Sequence, residues 1–277
     1  YAFTDNPNVL RCLKSINRDK QSDFSFSLEQ IILPSSINAI QSHSFDNCKY
    51  LKQINIPSFI TEISNSAFRG CCLLTQLIIP SSVTLIDANA FLGCSSLIEL
   101  KIPDSVTSIG ACAFTNCSSL TELNIPSSVT SIGACAFSGC KLLKQISIPP
   151  SVTKYEESLF EGCSSLKSFS IPYTVISISS FVFSGCSSLF ELFIPSSVTS
   201  IGQYAFNSCI SLKKIVIPPF LTKIEPNTFD NCRSLKQVEI PRNVKSIGIK
   251  AFNDCISLTG IYIPSSLNIY GAGLRSN

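Results

Sequence analysis

The sequence predicts an α/β repeat solenoid, because three features recur every 23 residues along most of the chain. The chain contains a series of regularly spaced prolines, and a phenylalanine lies eleven residues after each of the first ten of them, from Phe45 to Phe252. A cysteine lies three residues after each phenylalanine, from Cys48 to Cys255. The prolines end Ile-Pro or Leu-Pro pairs at Pro34, Pro57, Pro80, Pro103, Pro126, Pro149, Pro172, Pro195, Pro218, Pro241 and Pro264. Such periods are typical of proteins in which each repeat is one coil that packs on its neighbours.

The segment before each proline has the pattern of a short parallel strand. Leu120, Leu123 and Ile125 follow the spacing L-x-x-L-x-L, which is that of a leucine-rich repeat strand. Because side chains alternate along a strand, Leu123 and Ile125 are expected to point inward, and Glu122 and Asn124 outward. The proline then ends the hydrogen-bonded strand.

The rest of the coil is predicted from the same repeat. Val129 and Ile132 form a second inward pair on a short extended stretch, and Gly133 allows a tight turn. We predict one helical or 3-10 turn over 136–140, with its alanine, phenylalanine and cysteine facing the core. The expected architecture is a leucine-rich repeat arc, with a parallel β-sheet on the concave face and these short turns behind it.

The ends of the chain depart from the repeat. We predict a degenerate N-terminal repeat or cap over 1–33, ten repeats over 34–263 and a partial C-terminal repeat over 264–277. The chain contains no Met and begins at Tyr1, so we expect it to be part of a longer protein.

Composition narrows the range of functions. Hydrophobic residues make up 45% of the chain and charged residues 14%, so a large core is available. The net charge of +3 is small and dispersed, which argues against nucleic acid as a partner. No apolar run approaches the roughly 18 residues that a membrane span needs.

One repeat carries a family resemblance. The unit Ile125–Ser147, IPSSVTSIGACAFSGCKLLKQIS, resembles the BspA-like leucine-rich repeat, also called the Treponema pallidum type. The resemblance covers about residues 28–270. It implies a surface-exposed or secreted adhesin of the kind found in bacteria and parasitic protists, which binds host matrix proteins or other cells. It does not imply a particular ligand, because the matching residues are structural.

Two functions from different classes follow. The first is a non-catalytic protein-binding or adhesion module at the cell surface or in a secreted protein. The second is an intracellular structural or scaffold protein that uses the solenoid as a docking rod. Open solenoid ends also permit end-to-end self-association or dimerisation.

Side chains for catalysis or metal binding are scarce. Ten of the 14 cysteines lie in the repeat column without C-x-x-C or C-x-x-H partners, so we expect free, buried thiols and no zinc. Cys112 and Cys135 lie in a more exposed column, where a disulfide and two free thiols remain alternatives. His43 is the only histidine, which excludes a Ser-His-Asp triad and a two-histidine metal site. We therefore predict no enzyme activity, no metal and no cofactor.

The outward positions of the strands are the best binding candidates, because repeat proteins bind along this face. Most of these positions are polar, but several in the C-terminal half are apolar or aromatic, and such exceptions often mark interaction sites. The candidate partner-binding residues are Phe190, Glu191, Phe193, Lys214, Val216, Glu239 and Tyr262.

Overall fold

The computed structural model describes residues 29–265 and residue 267. It divides into two compact units, 1–141 and 142–277. The predicted N-terminal cap lies outside the described residues except for 29–33, and so does the predicted partial C-terminal repeat except for 264, 265 and 267. The predicted boundaries of these end segments therefore stay predictions.

Both units consist of short parallel strands. The first contains β1 Gln30–Ile32, β2 Gln53–Asn55, β3 Glu62–Ile63, β4 Gln76–Ile78, β5 Leu85–Ile86, β6 Glu99–Lys101, β7 Ser108–Ile109, β8 Glu122–Asn124 and β9 Ser131–Ile132. The second contains β10 Gln145–Ser147, β11 Lys154–Tyr155, β12 Ser168–Ser170, β13 Ser177–Ile178, β14 Glu191–Phe193, β15 Ser200–Ile201, β16 Lys223–Ile224, β17 Gln237–Glu239, β18 Ser246–Ile247 and β19 Gly260–Tyr262. The three-residue strands precede the repeat prolines and are called the long strands; the two-residue strands follow the prolines and are called the short strands.

Strand pairing confirms the 23-residue coil. Where strands pair, they are parallel and join equivalent positions of adjacent coils, as in Gln30 with Gln53 in the first unit and Ser168 with Glu191 in the second. Every long strand except β19 exposes its first and last residues and buries the middle one, as β8 and β14 do. The fold is thus a parallel-strand solenoid of leucine-rich repeat type with about ten turns.

A column of stacked phenylalanine rings runs through the core of each unit. In the first unit, successive ring centroids from Phe45 to Phe137 lie 5.3, 5.5, 5.4 and 5.8 Å apart, with interplanar angles of 6–11°. In the second, the rings from Phe160 to Phe252 lie 5.3–5.6 Å apart. These distances suit offset stacking, which adds to the free energy gained from burying the rings.

The predicted helical or 3-10 turn is wrong. No helix occurs in the described residues, where consecutive hydrogen-bonded turns surround each core phenylalanine instead. In the coil of Phe114, φ is +55° at Cys112 and +59° at Asn116. A right-handed helix cannot contain two such left-handed residues four positions apart.

The backbone hydrogen bonds of these turns explain why a helix is not formed. The N–H groups of Cys112, Phe114 and Asn116 donate to carbonyl oxygens of the next coil, at 2.8, 2.8 and 2.7 Å. A helix would use these N–H groups within its own segment. The turns therefore join one coil to the next as the strands do.

Gly133 is needed for close packing of the backbone, not for the tight turn that we expected. It is not among the residues with positive φ. A Cβ at this position would lie 2.7 Å from Cα of Ala111 and 2.8 Å from the carbonyl carbon of Gly110, both in the preceding coil. Such backbone atoms cannot easily move away, so a side chain at this position would force the backbone of one of the two coils to shift.

We expect Gly133→Ala to lower the free energy of unfolding by about 1–3 kcal/mol, the usual cost of forcing atoms into a packed interior. The control is Gly260→Ala, because a Cβ there would lie 4.0 Å from its nearest neighbours. Urea unfolding followed by circular dichroism compares the two. Equal stability of both variants would contradict the packing role of Gly133.

The cysteine column is buried as predicted, except for the half-buried Cys48, and several of its thiols also form hydrogen bonds. The Sγ atoms of Cys117 and Cys140 donate to the backbone oxygens of Phe91 and Phe114, each at 3.2 Å. Burial raises the pKa of Cys140 and of Cys209 to about 12. The thiols therefore stay protonated at neutral pH, which a thiol donor requires.

Candidate functional site

The exposed face of the long strands in the second unit carries the apolar side chains that the sequence singles out. Phe193 and Tyr262 are 64% and 62% exposed, and Val216 is 51% exposed. Phe190 lies beside this face and is 43% exposed. Large apolar side chains remain in water here although the same coils bury their neighbours, so packing of the core does not account for them.

The strand register places the candidate residues next to one another. Glu191 forms a parallel bridge with Lys214, and Glu239 pairs with Tyr262. With the 23-residue register, Phe193, Val216, Glu239 and Tyr262 form one column across four successive coils. At the usual spacing between strands this column is about 14 Å long.

A groove of about 850 Å³ lies on this face and is lined by residues of two successive coils and by Tyr262 of a third. Four of the seven candidate residues line it, namely Lys214, Val216, Glu239 and Tyr262. The other three, Phe190, Glu191 and Phe193, are not among its lining residues. The structure therefore brings part of the predicted set into one concavity and leaves the rest beside it.

The sequence did not predict several of the residues that line the groove. Lys213 and Lys236 begin the two lined stretches, and Pro219 and Arg242 come near their ends, so the chain order assigns the two sets to opposite ends of the groove. Lys213 and Lys236 are 23 residues apart and thus occupy the same position of successive coils, which is a signal that the sequence contains. Arg242 and Pro219 follow the long-strand positions and had no such signal, because the repeat pattern does not show which loops of adjacent coils enclose a space.

One coil beside this groove lacks a regular long strand. Residues 214–216 occupy a long-strand position, yet Lys214 makes only an isolated bridge with Glu191. The next two coils again have regular long strands, since β17 pairs with β19. The groove is lined by residues 213–219 of the coil without a regular long strand and by residues 236–243 of the next coil.

The groove is basic at both ends. Its lining residues include four cations, Lys213, Lys214, Lys236 and Arg242, and one carboxylate, Glu239. Among the described residues, no ion pair involves any of the three lysines. Their positive charge is therefore available to a partner in water.

A second groove on the long-strand face lies in the first unit. It has a volume of about 280 Å³ and is lined by residues of β1, β2 and β4. Its exposed apolar residues are Ile32 and Ile78, and none of its lining residues is charged. The charged groove is therefore a property of particular repeats and not of the repeat pattern itself.

The remaining predicted features have ordinary surroundings. His43 Nδ1 lies 3.2 Å from Asp46 Oδ2 at the surface. Cys112 and Cys135 are half-buried, and neither forms a disulfide. In the described part of the chain, no group of three His, Cys, Asp or Glu residues could hold a metal ion. Nor does any helix there have the length and apolarity to cross a membrane.

Known structures resemble this chain over most of its length. A leucine-rich repeat protein from Bacteroides ovatus is 26% identical, with a TM-score of 0.67 over 88% of this chain and 84% of that one. A leucine-rich cell surface protein from Faecalibacterium prausnitzii is 30% identical, with a TM-score of 0.59 over 87% and 74%. The pneumococcal vaccine antigen PcpA is 25% identical, with a TM-score of 0.62 over 87% and 67%. No curated protein matches significantly.

The parallel coils, the strand spacing and these structural relatives define a leucine-rich repeat protein, a class that generally binds other proteins and is typically non-catalytic. A family model described as "BspA type Leucine rich repeat region (6 copies)" matches residues 14–117, 86–197 and 157–274. The chain belongs to this BspA-type leucine-rich repeat family, as the repeat unit Ile125–Ser147 predicted.

Proposed function

We propose that the chain is a non-catalytic adhesion module of a cell-surface or secreted protein, which binds host matrix proteins or other cells through the long-strand face of its second unit. The observation that carries the proposal is the exposed apolar set on a face that is otherwise mostly polar, chiefly Phe193, Val216 and Tyr262. Aromatic side chains on such faces contribute a large share of the free energy of protein binding.

The family and two relatives support the location. One relative is named a cell surface protein and another a vaccine antigen. A surface location would bring the long-strand face into contact with matrix or neighbouring cells. Surface biotinylation of intact cells that express the native protein tests this part, because a protein confined to the cytoplasm would not be labelled. That result would favour the intracellular scaffold instead.

We expect the double substitution Phe193→Ser and Tyr262→Ser to weaken adhesion of the recombinant protein to cells or matrix by at least about tenfold, since both anchors would be lost. The matched control is Ile78→Ser, because Ile78 is 86% exposed at the equivalent strand position of the first unit. Circular dichroism verifies that all variants remain folded. Unchanged adhesion in a folded double variant would disprove the site.

A further inference from the structure

From its charge and shape, we infer that the groove lined by Lys213, Lys214, Lys236, Glu239 and Arg242 binds an extended acidic segment of a partner protein, with an apolar side chain between its carboxylates. This inference rests on the proposed function, because it names the chemistry of the partner for the same face. It adds Lys213, Lys236 and Arg242 to the candidate residues predicted from the sequence.

The length of the groove suits an extended chain. Its lining extends along one coil from Lys213 to Pro219 and along the next from Lys236 to Asn243. Six residues of extended backbone span about 20 Å, so the groove matches a segment of about six residues that lies parallel to the coils. A shorter charged group would occupy one end only.

The positive charges of the groove determine which side chains the partner segment carries at its two ends. Lys213 and Lys236 occupy the same position of adjacent coils and are both exposed, so they present two ammonium groups at one end. Arg242 is exposed at the other end. Complementary charge favours the matching partner and speeds its association, so carboxylates are expected at both ends of the segment.

The middle of the groove favours an apolar side chain at the centre of the partner segment. Val216 and Tyr262 line it and are both more than half exposed. Covering these two side chains removes apolar surface from water, which a side chain such as phenylalanine or leucine would do.

Glu239 argues against a polyanion. A nucleic acid or sulfated polysaccharide carries negative charge along its whole length and would place part of it beside this carboxylate. It would also leave Val216 and Tyr262 without an apolar partner. A peptide can instead alternate charge and apolar surface, so the protein ligand fits the groove better.

The second unit offers a matched set of lysines for the test. Lys144 and Lys167 are exposed and occupy the same repeat position as Lys213 and Lys236, but they do not line the groove. Reversing charge at either pair changes the net charge of the protein equally. Only a contact within the groove would distinguish the two double variants.

The experiment measures fluorescence anisotropy of a labelled peptide with the core Glu-Asp-Phe-Leu-Glu-Asp. We expect the intact chain to bind it, and Lys213→Glu with Lys236→Glu to weaken binding by about tenfold or more. Lys144→Glu with Lys167→Glu should change binding by less than about twofold. Peptides with lysine in place of each acid, or with serine in place of Phe and Leu, should bind at least about tenfold more weakly.

Three outcomes would overturn the inference: no binding of the acidic peptide, equal loss in the two double variants, or tighter binding of heparin or RNA in the same groove. Adhesion assays separate this failure from that of the proposed function. If Phe193→Ser with Tyr262→Ser abolishes adhesion while the acidic peptide does not bind, only the partner chemistry is wrong. If the peptide binds as expected but adhesion is unchanged in that variant, the proposed adhesive site is wrong.

Discussion

Replacement of Phe114 by alanine is expected to lower the free energy of unfolding by about 3–5 kcal/mol, the usual cost of removing a buried phenylalanine ring. Phe114 is fully buried, and its ring stacks on Phe91 at 5.4 Å and on Phe137 at 5.8 Å. The substitution leaves a cavity between two rings that belong to neighbouring coils. Because each coil is stabilised by its neighbours, the loss weakens two interfaces at once.

The control for this experiment is Phe59→Ala. Phe59 belongs to the same unit but is 70% exposed, so its removal should change the free energy of unfolding by no more than about 0.5 kcal/mol. Urea unfolding monitored by circular dichroism measures both variants. A loss at Phe114 no larger than that at Phe59 would show that the ring stack is not the stabilising element.

A rise in pH above about 9 is expected to unfold the protein through its buried thiols. Burial raises the pKa of the thiols in the cysteine column, to about 12 for Cys140 and Cys209 and about 11 for Cys255. An unfolded thiol has a pKa near 8.5. The contribution of each buried, protonated thiol to stability is therefore complete below about pH 8.5 and is lost as the pH rises toward the pKa of that thiol in the folded protein.

The sign and size of this effect follow from proton binding. Between about pH 9 and 11 the unfolded chain has released the proton of each such thiol and the folded chain retains it, so alkaline pH favours unfolding. Each thiol contributes up to about 1.4 kcal/mol per pH unit. Over about two pH units, several of them acting together lower the free energy of unfolding by an amount comparable with the roughly 5–15 kcal/mol of an ordinary domain. Tyr155, whose pKa is also raised by burial, acts in the same direction.

Urea unfolding at a series of pH values measures this slope. Cys140→Ala should make the slope less steep by about 1.4 kcal/mol per pH unit, because one titrating group is removed. Val129→Ala removes buried carbon without a titrating group, so it should lower stability equally at every pH. A slope that does not differ between these variants would show that Cys140 is not a source of the pH dependence.

The periodic positions explain why so much of the fold could be predicted. Residues such as Leu123, Val129 and Ile132 are buried because each is apolar and recurs at a spacing that places it on the inner face of the coil. The prediction of a helical turn failed because the Ala-Phe-x-x-Cys spacing resembles one helical period. A better signal for these turns was the repeat position two residues after each phenylalanine. It is occupied by Gly, Asn, Ser or Asp, which are common in turns, and its backbone has positive φ.

The candidate site was predicted only in part. The exposed aromatic residues Phe193 and Tyr262 could be found because they interrupt a polar column. Arg242 and Pro219 could not, because they belong to loops whose neighbours in space depend on how adjacent coils separate. No spacing in the sequence indicates the size or the charge of the space between them.

The sequence by itself determined the 23-residue coil, its buried columns and the family. These depend on which side chains are removed from water, and the polarity and spacing of the residues indicate which side chains those are. Only the tertiary structure decided the geometry of the turns, in which the N–H of Phe114 bonds to the next coil, and the position of the groove at residues 213–243. Both arise from contacts between coils. Such contacts depend on backbone conformation and on the distance between neighbours, which no single repeat specifies.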